Sequence, residues 1–334
     1  MGVTMADIAK AAHASVATVG RVLHNNGYVS NETRARIERA IDELGYIPNQ
    51  NARTLKSNRS GIIGSLVTQN ANSLYYRINE SVMKAAHARG FEYLTMECQM
   101  RGHDEGRLID NFIGLRVDGL VITSNTAIQP DMFARLRKAG IPAVAVERGY
   151  LEQGVDSLIT EDCQGARDAV MRIASRGHRR IGLIAMEPFH EVERQRIAGY
   201  RQAVADCHLT PDEALIRIVP SYSPQAGRAA MEALLSLACP PTAVFATADT
   251  LAAGAMQALY DRHLRVPDDM SIVGYDDVLS QSLSPQIDSV GLVLTDIGDH
   301  VMQLLLSKME DANRPAERRS ISTVYVDRGT VRQL

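Results

Sequence analysis

Apolar residues in the first 45 positions recur at helical spacing. Ile8, Ala11 and Ala12 form one set, Val16, Val19, Val22 and Leu23 the next, and Ile37, Ile41 and Leu44 a third. Steps of three and four residues place each set on one helix face. Helix-start chemistry precedes each set: Thr4 with Asp7 three residues on, then Ser15, then Ser30. Their hydroxyls suit the unpaired N–H groups of a first turn. Only Ala12, His13 and Ala14 separate the first two sets, which leaves room for a tight turn alone, and Gly45 stops the third. Residues 1–46 therefore read as a small all-α head, its first two helices at helix-turn-helix spacing. Pro48 closes it. In the next ten residues Leu55 is the one large apolar side chain, so a helix there is marginal by itself.

From Gly61 the rhythm changes. Apolar runs of strand length fall at 62–67, 119–122, 143–146, 181–185, 243–246 and 271–274. Helical stretches separate them, at 78–88, 108–115, 132–139, 164–174, 196–205, 226–237 and 252–260, and several end at a glycine: Gly90, Gly140, Gly177. Such alternation predicts βαβ units and parallel sheets. About 270 residues exceed one open sheet, so the α/β fold expected of residues 60–334 has two lobes, with 47–59 as a linker.

Composition agrees. Apolar residues make up 45% and charged residues 22% of 334, which excludes wholesale disorder, collagen and coiled coil. No stretch approaches the roughly 18 apolar residues of a membrane helix. Acidic Asp7 sits where a signal peptide would be apolar, so a cytoplasmic protein away from membranes is expected. Cys98, Cys163, Cys207 and Cys239 form no CxxC pair, so reduced, buried thiols are expected and no metal site. The net charge of −3 is uneven: residues 1–59 hold eight Lys or Arg against five acids, leaving −6 on the remainder. A basic head on an acidic body points to a polyanion partner for the head, although a segment of +3 is also an ordinary solvated face. No Walker, GxGxxG, GxSxG or HExxH pattern is present; His190-Glu191-Val192-Glu193-Arg194 lacks its second His. No enzyme activity and no cofactor are expected.

At this point whole stretches resemble the LacI/GalR family of transcriptional regulators. They are VTMADIAKAAHASVATVGRVLHNNGYVS and TRARIERAIDELGYIPNQNARTLKSN in the head and linker. In the core they are IIGSLV, VDGLVIT, GIPAVAVER, GHRRIGLIA, RIAGYRQAV, PPTAVFATADTLAAGAMQAL, RVPDDMSIVGYDD and VDRGT. The resemblance spans the chain and implies a two-lobed core like the periplasmic sugar-binding proteins. It further implies a homodimer on pseudo-palindromic operator DNA, answering to a small molecule.

In that family the second helix of the head enters the major groove. The resemblance thus assigns base contact to Val16, Ala17 and Arg21, Arg21 by forking onto guanine. Core packing is the alternative for Val16 and a phosphate contact for Arg21. Thr4, Ser15, Thr18, Asn25, Tyr28, Ser30, Thr33 and Arg34 would hold the DNA backbone, with simple capping the other role of Thr4 and Ser15. Residues 49–57 match the family's hinge helix, whose Ala52, Arg53 and Leu55 enter the minor groove, the paired leucines wedging a base step. Leu55 packing on the body is the other reading. The chain departs from the pattern at His13, where the turn usually has Gly, and at Gly20, where Ser is usual.

Two-lobed α/β folds bind small molecules at the C-terminal ends of their strands. Polar residues after the apolar runs are the candidates: Asn70, Asn72, Leu74 and Tyr75; Thr123 and Ser124; Glu147-Arg148; Arg196, taken to open its helix; Asp249; and Asp276. The family uses positions matching Arg148, Arg196, Asp249 and Asp276 for ligand. An interlobe salt bridge or a helix cap is the alternative for each. Glu161-Asp162 replaces the more usual Asp-Asn and adds negative charge between the lobes. The resemblance makes a carbohydrate the first candidate effector, with nucleobase, nucleoside or sugar phosphate as alternatives. A transport solute-binding protein is the rival reading, and the DNA-binding head opposes it.

Overall fold

A computed structural model of the chain describes residues 3–23, 26–46, 59–69, 74–99, 104–123, 128–147, 149–292 and 294–334. It divides into two compact units, Met1–Ser60 and Gly61–Leu334.

The first unit holds α1 (Met5–Ala11), α2 (Val16–Leu23) and α3 (Asn31–Leu44). Each start is capped. The Thr4 hydroxyl accepts from the Asp7 N–H at 3.4 Å and the Asp7 carboxylate accepts from the Thr4 N–H at 2.8 Å, a reciprocal capping box. Ser15 accepts from the Thr18 N–H at 3.1 Å, and Ser30 from the Thr33 N–H at 3.4 Å. Ile8, Val19, Val22 and Ile37 bury their side chains together at the centre of the three helices. The tight turn between α1 and α2 puts His13 at φ 48°, a left-handed conformation that glycine adopts most readily. A histidine there accepts strain that the family's glycine avoids.

The second unit has two lobes. The first starts with β1 (Ile62–Gln69), α4 (Leu74–His87), β2 (Glu92–Gln99), α5 (Glu105–Gly114), β3 (Gly119–Thr123), α6 (Pro130–Lys138), β4 (Ala143–Val146) and β5 (Asp156–Thr160). The chain then crosses to the second lobe: α7 (Asp162–Ser175), β6 (Ile181–Met186), α8 (Glu191–Asp206), β7 (Ile216–Val219), α9 (Pro224–Leu235), β8 (Ala243–Ala246), α10 (Asp249–Asp261), β9 (Ser271–Asp276) and β10 (Asp288–Leu292). It returns for α11 (Leu294–Glu310) and β11 (Arg318–Ile321), and crosses once more to β12 (Thr323–Val326). Sheet orders are β11-β5-β4-β3-β1-β2 and β12-β10-β9-β8-β6-β7. Paired strands run parallel except β10 and β12.

Helices cover both faces of each sheet. Ile78, Val82, Val301 and Leu305 of α4 and α11 pack on one face of the first, Ile109, Phe112 and Phe133 of α5 and α6 on the other. In the second lobe α7 and α8 face α9 and α10 across the sheet. At Gly227 a Cβ would strike the Leu251 carbonyl, and at Gly254 the Pro224 carbonyl, so α9 and α10 approach backbone to backbone.

Every strand and helix expected from Gly61 onward is present, but bounds differ where caps extend an element. The α8 helix starts at Glu191, with His190 as its cap, so Arg196 lies in its second turn and does not open it. Residues Leu74 and Tyr75 belong to the first turn of α4. Thiol burial is corrected too: all four cysteines are free, but Cys98 alone is buried and Cys239 is exposed. No helix among the described residues is long and apolar enough to cross a membrane.

Candidate functional sites in the head and the cleft

In the head, α2 is divided lengthwise. Val19 and Val22 are buried, whereas Val16, Ala17 and Arg21 are exposed. Val16 is 48% exposed, so core packing is not its role. Arg21 makes no ion pair with the described residues, while Arg34 and Arg36 pair along α3 with Glu38 and Glu32. Thr4, Ser15 and Ser30 stand exposed at the helix starts, and Thr33 and Arg34 lie in the first turn of α3. Tyr28 is 90% exposed, an aromatic ring held in water. Gly20 lies on α2 with the Met5 methyl 3.4 Å from where a Cβ would stand. Asn25, Ala52, Arg53 and Leu55 lie outside the described residues.

In the core, Glu147 and Asp276 at strand ends meet Tyr75 from α4 and Arg196 from α8. Arg196 is fully buried. Its Nε donates to Asp162 at 2.8 Å, one terminal nitrogen to the Thr247 carbonyl at 2.6 Å, and the other pairs with Asp276 at 3.0 Å. Its guanidinium lies 3.8 Å from the Tyr275 ring centroid. Two carboxylates hold its pKa well above the ordinary arginine value, against burial that works the other way. Asp162, buried, is therefore a partner that fixes Arg196, while Glu161 beside it is exposed.

Asp249 caps a different feature. Its carboxylate accepts from the N–H groups of Val278, Leu279 and Ser280 at 2.9–3.0 Å and from the Ser289 hydroxyl at 2.7 Å. With four donors its capacity is used, and it holds the turn that follows Asp276. Burial raises its pKa to about 6, Asp276 adding and the bonds from Ser289, Ser280 and Val278 opposing. The Thr123 hydroxyl, buried, donates to the Leu66 carbonyl. Leu74 is buried in the first-lobe core. Asn70, Asn72, Ser124 and Arg148 lie outside the described residues.

Sequence reasoning missed a polar cluster behind Arg196. The Glu193 carboxylate accepts from the Met186 N–H at 2.7 Å, the Thr247 hydroxyl at 2.5 Å and the Tyr222 hydroxyl at 2.8 Å. His190 Nδ1 accepts from the Glu193 N–H at 3.4 Å, and its Nε2 stands 3.4 Å from the Tyr222 hydroxyl. Burial raises Glu193 to about 7, Arg196 and its three donors opposing. The three-residue step from Glu193 to Arg196 carried the signal, since it places both on one helix face. Glu147 stood among the candidates after the strands, beside Arg148, to which the family's ligand role was given. It is 3% exposed, and neither carboxylate oxygen has a well-formed hydrogen bond among the described residues. Burial, then the charge of Asp162, push its carboxyl up to about 7, with Arg196 and Tyr75 opposing and Asp276 adding. Glu147 and Asp276 both sit at strand ends with positive φ, 66° and 94°, strained for residues carrying a Cβ.

The chain is similar to known proteins. Residues 4–49 match the model of bacterial regulatory proteins of the lacI family, and residues 170–331 that of a periplasmic binding protein-like domain. The "Probable HTH-type transcriptional repressor ExuR" of Bacillus subtilis (strain 168) is 32% identical over 333 residues, 99% of either chain. A lac repressor dimer bound to operator and the anti-inducer ONPF superposes with a TM-score of 0.85 at 26% identity, covering 99% of this chain and 100% of that one. A complex of the transcriptional regulator CelR with cellobiose gives 0.73 at 30% identity, covering 98% and 99%.

Proposed function

This chain belongs to the LacI family of bacterial regulatory proteins, and on that premise we propose how its residues divide the work of a ligand-responsive repressor. Residues 1–46 bind DNA, 47–59 form the hinge, and 60–334 bind effector and dimerise. The observation that carries the DNA reading is the split face of α2, with Val16, Ala17 and Arg21 exposed above a packed core. Val16 and Ala17 meet apolar base edges, and Arg21 forks onto a guanine. Thr4, Ser15, Thr18, Asn25, Tyr28, Ser30, Thr33 and Arg34 hold phosphates, and Ala52, Arg53 and Leu55 enter the minor groove.

The effector lies in the cleft against Tyr75, Arg196, Asp276 and the aromatic Tyr222, with Asn72, Leu74, Thr123 and Arg148 lining it. Asp249 acts from behind, by fixing the turn after Asp276. A sugar is the effector class, as cellobiose is for CelR in its complex. The protein works in the cytoplasm as a homodimer without catalysing a reaction, its DNA half-sites about one helical turn apart. Effector and operator change each other's affinity by the same factor.

Gel shift with a pseudo-palindromic operator, titrated with a sugar panel, tests this reading. Binding as a dimer with an affinity that moves under at least one sugar is expected. A stable monomer on a single half-site, or an operator affinity unchanged across the panel, refutes it.

A further inference from the structure

The chain enters the core through a residue whose backbone is tied on both sides. Gly61 donates its N–H to the Asp118 carboxylate at 2.9 Å, and its carbonyl accepts from the Glu92 N–H at 2.7 Å. Asp118 is held in turn by its own N–H, which donates to the Ile62 carbonyl at 2.8 Å. Glu92 opens β2 and Asp118 comes just before β3, the two strands that flank β1. The first residue of the core is thus clamped between the starts of both neighbours.

Asp118 has a firm seat. After α5 the chain turns at Arg116, φ 53°, and Val117 is then 2% exposed, fixed in the first-lobe core. Gly61 has φ 74°, a bend that suits glycine, yet nothing beyond its chain neighbours lies within 4 Å of where a Cβ would stand. The bend, and not crowding, asks for glycine there. Strand β1 already pairs with β2 from Ile62 and with β3 from Ile63. The Asp118 bond therefore adds little to the sheet, and it acts on the residue just ahead of it.

We infer that Asp118 is a positioning residue for operator binding. By holding Gly61 it sets the point at which the linker to the head leaves the core, and with it the half-site spacing that the dimer accepts. This goes beyond the division of labour above and rests on its DNA-binding reading. Each residue released from the sheet end adds up to about 3.5 Å of reach to the tether. One base pair advances the duplex by about 3.4 Å and turns it by about 35°. Freeing Gly61 in both subunits thus gives the slack to follow a half-site displaced by one base pair. With the clamp intact that slack is missing, and spacing is read from the core while the recognition helices read bases.

The experiment uses the full chain and a pseudo-palindromic duplex that the native protein selects from random DNA. Affinity is measured on that duplex and on a copy with one base pair inserted at its centre. The native protein should bind the copy at least about tenfold more weakly. Asp118→Ala, folded by circular dichroism and dimeric by sedimentation, should bind the selected duplex about threefold to tenfold more weakly than the native protein does, and the copy nearly as well as the selected duplex. Asp118→Asn keeps an acceptor oxygen for the Gly61 N–H and should restore the native ratio. Gly61→Ala loses the bend with the Asp118 side chain in place. It should narrow the ratio as Asp118→Ala does, and it stands in for that variant if Asp118→Ala does not fold or dimerise. A native ratio in Asp118→Ala, or a narrowed one in Asp118→Asn, overturns this inference and leaves DNA binding standing. So does a native protein that binds both duplexes alike. If the native protein selects no duplex, the DNA-binding reading falls and this inference with it.

Discussion

In the head, Arg21 stands in solvent on a helix whose other face is packed; in the core, Arg196 stands on a helix and is buried against two carboxylates. Both are arginines on helices of a binding protein, and the surroundings make them opposites. The partner proposed for Arg21 is a polyanion outside the chain, and the exposed side chain makes no ion pair with the described residues. Arg196 is part of the fold, and any ligand meets it already paired. A DNA-reading surface can thus change without loss of stability, whereas the cleft ties recognition and folding together.

The sharpest way to break this contrast is Arg196→Ala. It leaves Asp162 and Asp276 buried without a counter-charge, which costs about 3–5 kcal/mol. Urea denaturation followed by circular dichroism measures it, and a loss below about 1 kcal/mol would mean that the pair is not dry.

Next comes pH. Glu193 and Glu147 titrate near 7 in the folded chain against an ordinary 4.5, so between those values the folded state holds the extra protons. Stability should therefore fall as pH rises from about 4.5 to about 7 and level off above, each group contributing up to about 1.4 kcal/mol per unit. Urea midpoints of the native chain and of Glu147→Gln check this, the variant showing the shallower slope. A midpoint that climbs through that window would reverse the assignment.

For Arg21→Ala the expected cost is roughly 1–3 kcal/mol of operator affinity, with relaxed preference at one base pair. Stability should stay within about 0.5 kcal/mol of native. If binding weakens equally on every DNA sequence, Arg21 touches phosphate and not base. The smallest effect is expected of Gly20→Ala, which should raise head stability by up to about 1 kcal/mol, because a Cβ there meets only the flexible end of Met5. Thermal melting of the native and variant proteins reads the difference.

Local signals decided what the sequence disclosed. The head was legible because capping at Thr4, Ser15 and Ser30 and the three-four steps within each helix, such as Val16, Val19 and Val22, are written within a few residues. Strands buried on both faces, such as β6 and β8, declared themselves as apolar runs. Strands β2 and β7 did not, because they lie at sheet edges and carry polar residues such as Glu92, Glu97 and Arg217. The cleft was half legible. Positions after strands pointed to Arg196 and Asp276, but the pairing of Arg196 with Asp162, 34 residues away, belongs to the packing of α7 on α8. The same holds for Tyr222, which reaches Glu193 across 29 residues. Asp249 looked like a ligand group because sequence cannot show that four donors converge on it.

The three crossings between lobes carry a consequence for synthesis. The first lobe receives β1 to β5 early, yet α11 and β11, which pack on α4 and pair with β5, come after the whole sheet of the second lobe save β12. A nascent chain paused near residue 290 thus holds a first lobe with one side of its sheet half uncovered and the β5 edge unpaired. The first sheet is complete only with β11 and the second only with β12, two residues later. The ribosome therefore delivers the closing strands of the two lobes nearly together, and a chain truncated before Arg318 leaves both sheets without an edge strand.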